Sequence, residues 1–160
     1  MPEVIVNTSP LQYLFQLDLL DLLPELYGDV VVPGGVAREI AAGLDRGVSL
    51  PSLSSLPWLE IREVMSPSVL PLVTDLGTGE REVLALALQS TGSLVVLDDF
   101  LARRFADRLR LRMTGTLGIL LKARRTGRVD RLAPLLDRLE RLNFRLDAGT
   151  RANVLRLAGE

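Results

Sequence analysis

The stretch V-I-V-N-T-S-P-L, residues 4–11, places three apolar β-branched side chains directly ahead of Asn7, Thr8, Ser9 and Pro10. β-Branched residues suit a pleated, buried surface and proline cannot donate to a ladder, so the run reads as a short strand ending in one polar side chain. Apolar runs recur at 30–32 and 94–97, with weaker ones at 59–64 and 111–113. Helical spacing fills the intervals. Leu11, Leu14 and Phe15 share a face, Asp18 has the character of an N-cap for a helix over 19–23 followed by Pro24, and Pro33 precedes a helix over 34–42 that Gly43 would stop. Further helices are expected over 79–89, 99–109, 116–125, 130–142 and 147–157, while the Ser- and Pro-rich segment 45–59 reads as a loop.

Short apolar strands alternating with helices imply an α/β fold: a mostly parallel sheet of four or five strands with helices on both faces. At 160 residues, with 48% hydrophobic and 24% charged, the chain has enough apolar surface for one globular domain spanning 1–160. No apolar run approaches the roughly 18 residues of a membrane span, and Met1-Pro2-Glu3 does not open a basic-then-apolar leader, so a cytoplasmic protein is expected.

Cysteine and histidine are both absent. That excludes disulfides, thiolate zinc sites, a Ser-His-Asp triad and an imidazole base. Lys122 is the only lysine, and its setting, L-L-K-A-R-R, matches neither a phosphate-loop lysine nor a Schiff-base site. The available chemistry is that of carboxylates, amides, hydroxyls, arginine and a hard metal ion. Charge is also unevenly spread: residues 1–102 hold 4 arginines and 14 acids, and residues 103–160 hold 15 basic residues and 6 acids. Such a split fits a cation site beside a phosphate-binding surface, or equally arginines coating solvated helices.

In a parallel sheet, ligands bind beyond the carboxyl ends of the strands. Polar residues just after strands and at helix starts are therefore the candidates. Asn7 follows the first strand; Glu39, in V-A-R-E-I, follows the second; Glu80 and Glu82 open G-T-G-E-R-E-V-L-A-L-A-L; Asp98 and Asp99 close L-V-V-L-D-D. Collected carboxylates would repel one another unless a divalent cation joined them, and magnesium, with oxygen ligands and retained waters, suits such a set. Metal-assisted phosphodiester hydrolysis needs no histidine. Each residue also has a plainer role. Asp98 and Asp99 suit a helix N-cap, Glu80 and Glu82 a first turn, Glu39 a solvated face, and Asn7 an Asx-turn before Pro10. The G-T-G at 77–79 is a weak phosphate-loop signal, because no Lys-Ser/Thr follows it.

The pieces V-N-T-S-P-L, L-D-L-L-P-E-L-Y-G-D-V-V-V-P-G-G-V-A-R-E-I, L-G-T-G-E-R-E-V-L-A-L-A-L, V-V-L-D-D-F-L-A-R-R-F-A and M-T-G-T-L-G-I-L-L-K-A-R-R-T-G-R-V, in this order, resemble a PIN domain of the VapC-like toxin–antitoxin subgroup. The resemblance implies a PIN-like fold and Mg2+- or Mn2+-dependent cleavage of RNA, with a small cognate antitoxin and a homodimer as partners. It puts the site acids at Glu39, Glu80 (Glu82 less so) and Asp98 or Asp99, and the first-strand acid position on Asn7. It puts Ser9, Thr114 and Thr116 at the site's border. Arg103 and Arg104, one turn past the acid pair, would contact phosphates. Asn7 departs from the acidic pattern. An amide oxygen still ligates a hard cation but brings no charge, which leaves a catalytically impaired module that binds RNA or a partner protein as the alternative. A phospho-acceptor receiver domain would need its acid pair after the first strand and a lysine after a late one, and neither is so placed.

Overall fold

Every residue of Val4–Val6 (β1) and Val30–Pro33 (β2) is buried in the computed structural model, which describes residues 2–65 and 76–160. Successive side chains of a strand point to opposite faces, so both faces of the sheet are covered at these strands. Leu59–Arg62 (β3), Leu94–Val96 (β4) and Arg112–Thr114 (β5) complete a parallel sheet in the order β3-β2-β1-β4-β5. Its borders carry charge. On β3, Arg62 pairs with Glu60 and Glu3, and β5 opens with exposed Arg112, which discourages strand addition at either edge.

Eight α-helices flank the sheet among the described residues: Thr8–Gln16 (α1), Leu22–Tyr27 (α2), Gly34–Asp45 (α3), Thr78–Gln89 (α4), Phe100–Arg108 (α5), Thr116–Arg125 (α6), Ala133–Arg141 (α7) and Ala148–Leu157 (α8). α4 packs on β1, β2, β4 and α3, while α6 meets α1, α2 and α8. No described helix is long and apolar enough to cross a membrane.

Three local expectations are corrected. Asp18 does not start a helix: at φ 59° it occupies the left-handed position that ends α1, with its own N–H on Phe15 O and the Leu19 N–H on Leu14 O at 2.8 Å. That is a Schellman closure, for which Asp is one of the few tolerated side chains. Pro24 lies inside the first turn of α2, where its missing N–H has no intrahelical partner to lose. Gly43 is interior to α3, where its bare Cα accepts the side chain of Leu50; Gly47, at φ 81°, ends the helix instead, with the Val48 N–H on Gly43 O.

The chain leaves β1 for β2 and β3 on one side and returns to β4 on the other, so strand order reverses between β1 and β4. Their register pairs Val6 with Val96, and the Asn7 N–H continues the ladder onto Val96 O at 3.1 Å. Asn7 and the Leu97-Asp98 segment thus emerge side by side at the crevice where sheets of this kind bind ligands.

Candidate active site

Asn7 occupies the N-cap position of α1 (φ −83°, ψ 173°), yet its side chain makes no capping bond. A capping side chain bonds the N–H of the second or third helical residue, and the third here is Pro10, which has none. The residue is also only 3% exposed, and Oδ1 has no hydrogen-bond partner. A buried acceptor left unpaired costs about 1–3 kcal/mol. The Asx-turn is therefore not what this amide does.

Asn7 Oδ1 faces the first turn of α4. A methyl group on Gly79 would stand 3.4 Å from Asn7 Oδ1, 3.2 Å from Glu39 Oε2 and 3.1 Å from Val36 Cγ2. Glycine at this position keeps open a small space that both oxygens border. Glu39 reaches it from α3, with Oε2 accepting a hydrogen bond from the Thr8 hydroxyl of α1. Glu80, the third residue of α4, completes a cleft of about 280 Å³ whose walls include Asn7, Ser9, Glu39, Glu80 and Arg46. The Glu80 carboxyl is held above the ordinary range, first by burial and then by the charge of Asp99, with Glu39 adding to it and a backbone bond at Gly77 opposing.

The remaining acids are turned elsewhere. Glu82 accepts the Gly35 N–H at 3.2 Å and lies 3.6 Å from Arg38 Nη2, so it caps α3. Asp98 accepts both the Thr116 N–H and the Thr116 hydroxyl, each at 2.7 Å, which ties the end of β4 to the start of α6. Burial raises its carboxyl, against the lowering effect of those two bonds and of Arg103. Thr116 is fully buried. Asp99 is exposed, caps α5 by accepting the Ala102 N–H at 2.9 Å, and still stands near enough to Glu80 to raise its carboxyl. Thr114 ends β5 half-buried, its hydroxyl against the bare Cα of Gly118. Arg103 points inward and donates to Leu97 O at 2.9 Å, whereas Arg104 is exposed.

Among the described residues no three carboxylates stand in a group able to hold a metal ion. Counting the amide changes the donor set: Asn7, Glu39 and Glu80 border one cleft, and all three offer oxygen donors. Magnesium keeps several waters and commonly uses only one or two carboxylates, so an unpartnered amide oxygen beside two glutamates fits such an ion. The sequence did not reveal Thr8 as a partner of Glu39, Gly79 as the spacer or Arg46 in the cleft wall. For Thr8 and Gly79 the only local signals were T-S-P after the strand and G-T-G before Glu80.

A sequence model described as a PIN domain matches residues 3–160. The chain belongs to the PIN-domain family. No curated protein matches it. The PIN fold is a nuclease fold, in general metal-dependent, and the oxygen-lined cleft at the β1/β4 crevice lies where a parallel sheet of this order presents its ligands.

Proposed function

We propose that this PIN domain is a Mg2+- or Mn2+-dependent endoribonuclease. The observation that carries the reading is Asn7 Oδ1: a buried oxygen with no hydrogen-bond partner, bordering the same glycine-sized space as Glu39. Asn7, Glu39 and Glu80 would hold the ion, with Asp99 at its side. When bound, the ion supplies charge neutralisation for a phosphodiester and makes a water more acidic. The protein's own contributions are separable from it. Thr8 orients Glu39, Thr116 fixes Asp98 at the end of β4, and Glu80 carries a carboxyl raised by burial and by the charge of Asp99. Following the VapC-like resemblance, the chain would be the toxin of a cytoplasmic pair, held by a small antitoxin and working as a homodimer.

The test is cleavage of single-stranded RNA by the purified chain with Mn2+, against an EDTA control and a Glu39→Gln/Glu80→Gln double variant. Metal-dependent cleavage lost in the double variant is expected. Cleavage persisting in that variant removes these residues from the site. The lack of a three-carboxylate group among the described residues favours a second reading, a PIN module that binds RNA without cutting it. An inactive wild type whose Asn7→Asp variant cuts RNA would establish that reading.

A further inference from the structure

Phe100 is 75% exposed, an unusual setting for an aromatic ring, and it directly follows Asp99 at the start of α5. The Arg104 guanidinium lies over this ring, 5.8 Å from its centroid. Arg108 stands one further turn along, so Phe100, Arg104 and Arg108 share one face at i, i+4 and i+8, and both arginines are exposed and without an ion-pair partner among the described residues. An aromatic face topped by a guanidinium offers a stacking surface that every nucleobase can use, and cations following it along a helix complement a phosphate chain. A base paired in a duplex has no free face to offer it.

Building on the ribonuclease reading, we infer that the Phe100/Arg104 pair is a stacking platform for one unpaired base of the RNA beside the acidic cleft, with Arg108 on the backbone of the same strand. The platform selects single-stranded substrate and fixes which phosphate reaches Glu39 and Glu80. A protein partner seated on the same ring is the competing occupant; the unpaired Arg104 and Arg108 outnumber the one acid on this face, Asp107, and leave it net positive, which complements a polyanion.

The experiment measures binding of a short single-stranded RNA by fluorescence anisotropy in EDTA, where cleavage is silent, with 2-aminopurine placed in turn at each position. Phe100→Ala is expected to weaken single-strand binding about tenfold and to abolish the quenching of one 2-aminopurine position, while Phe100→Trp keeps both. Annealing the complementary strand should erase the difference between wild type and Phe100→Ala. Equal single-strand affinity in Phe100→Ala, or an equal loss on duplex, overturns the platform alone. A change of oligomeric state in Phe100→Ala with RNA affinity intact assigns the ring to a protein interface and also overturns it. Wild type that binds no RNA in EDTA overturns the platform, whereas the ribonuclease reading falls only if the same chain also fails to cut RNA with Mn2+.

Discussion

Asn7 is costly as it stands, because a buried acceptor has given up water and received no donor in return. An aspartate there would carry a full charge beside Glu39, which repels it in the metal-free protein and attracts a cation. At a separation near 4 Å the attraction is about 1–4 kcal/mol per unit of metal charge, between water-like and surface-like dielectric. Asn7→Asp should therefore bind Mn2+ at least about tenfold tighter by calorimetric titration and melt lower than wild type in EDTA; unchanged affinity would mean that the amide does not face the ion. Glu80 offers a second handle. Burial and the charge of Asp99 raise its carboxyl, and a carboxyl raised in the folded state contributes stability at low pH that fades as pH climbs through the folded-state value. In EDTA, Glu80→Gln should accordingly melt above wild type at about pH 8 and level with it near pH 4, where both side chains are neutral. A lower melting point for the variant at the alkaline end would show that the charge on Glu80 is compensated by the fold.

At the scale of the element, α4 shows how a helix trades its own stability for room. Alanine at Gly79 should gain up to about 1 kcal/mol of helix propensity, but its methyl would press on Val36, Glu39 and Asn7 at 3.1–3.4 Å, tighter than ordinary contact. Gly79→Ala is expected to leave the melting temperature within a few degrees of wild type while weakening Mn2+ binding and RNA cleavage together; a loss of stability with intact metal binding would mean that the glycine serves packing alone. The same helix shows the reach of sequence reading. Glu80 and Glu82 are two residues apart, which on a helix is about 200°, so one faces the cleft and the other caps α3; spacing alone does not say which. β1, β2 and β4 were legible because strands buried on both faces read as continuous apolar runs. β3 and β5, at the borders, gave weaker signals because exposed residues interrupt them. Asp18 and Gly43 misled for different reasons: an aspartate suits an N-cap and a left-handed helix end alike, whereas the contact of Gly43 with Leu50 is a packing contact that leaves no local trace.

Across the whole molecule, the uneven charge seen in the sequence resolves into two populations of arginine. Arg128 pairs with Glu25, Arg131 with Glu160, Arg138 with Asp18, and Arg151 with both Asp137 and Glu140, while Arg138 also donates to the carbonyls that end α1. These arginines hold the carboxyl-terminal helices to one another and to the first half of the chain. Arg104 and Arg108 on α5 have no such ion pairs among the described residues. Both populations come from one basic half, and sequence alone cannot separate them because the pairing partners lie up to 120 residues away. The division predicts different responses to salt. Each phosphate contact on a single strand adds about 0.7 to the slope of log affinity against log salt, so Arg108→Ala should flatten that slope by about that amount without moving the melting temperature. Arg151→Ala should leave the slope unchanged and lower the melting temperature, because it releases Asp137 and Glu140 and not a phosphate. Binding isotherms for single-stranded RNA at several salt concentrations, taken beside thermal melts of both variants, measure the two effects independently. If Arg151→Ala flattened the slope and Arg108→Ala did not, the RNA path would run over α7 and α8 and away from α5.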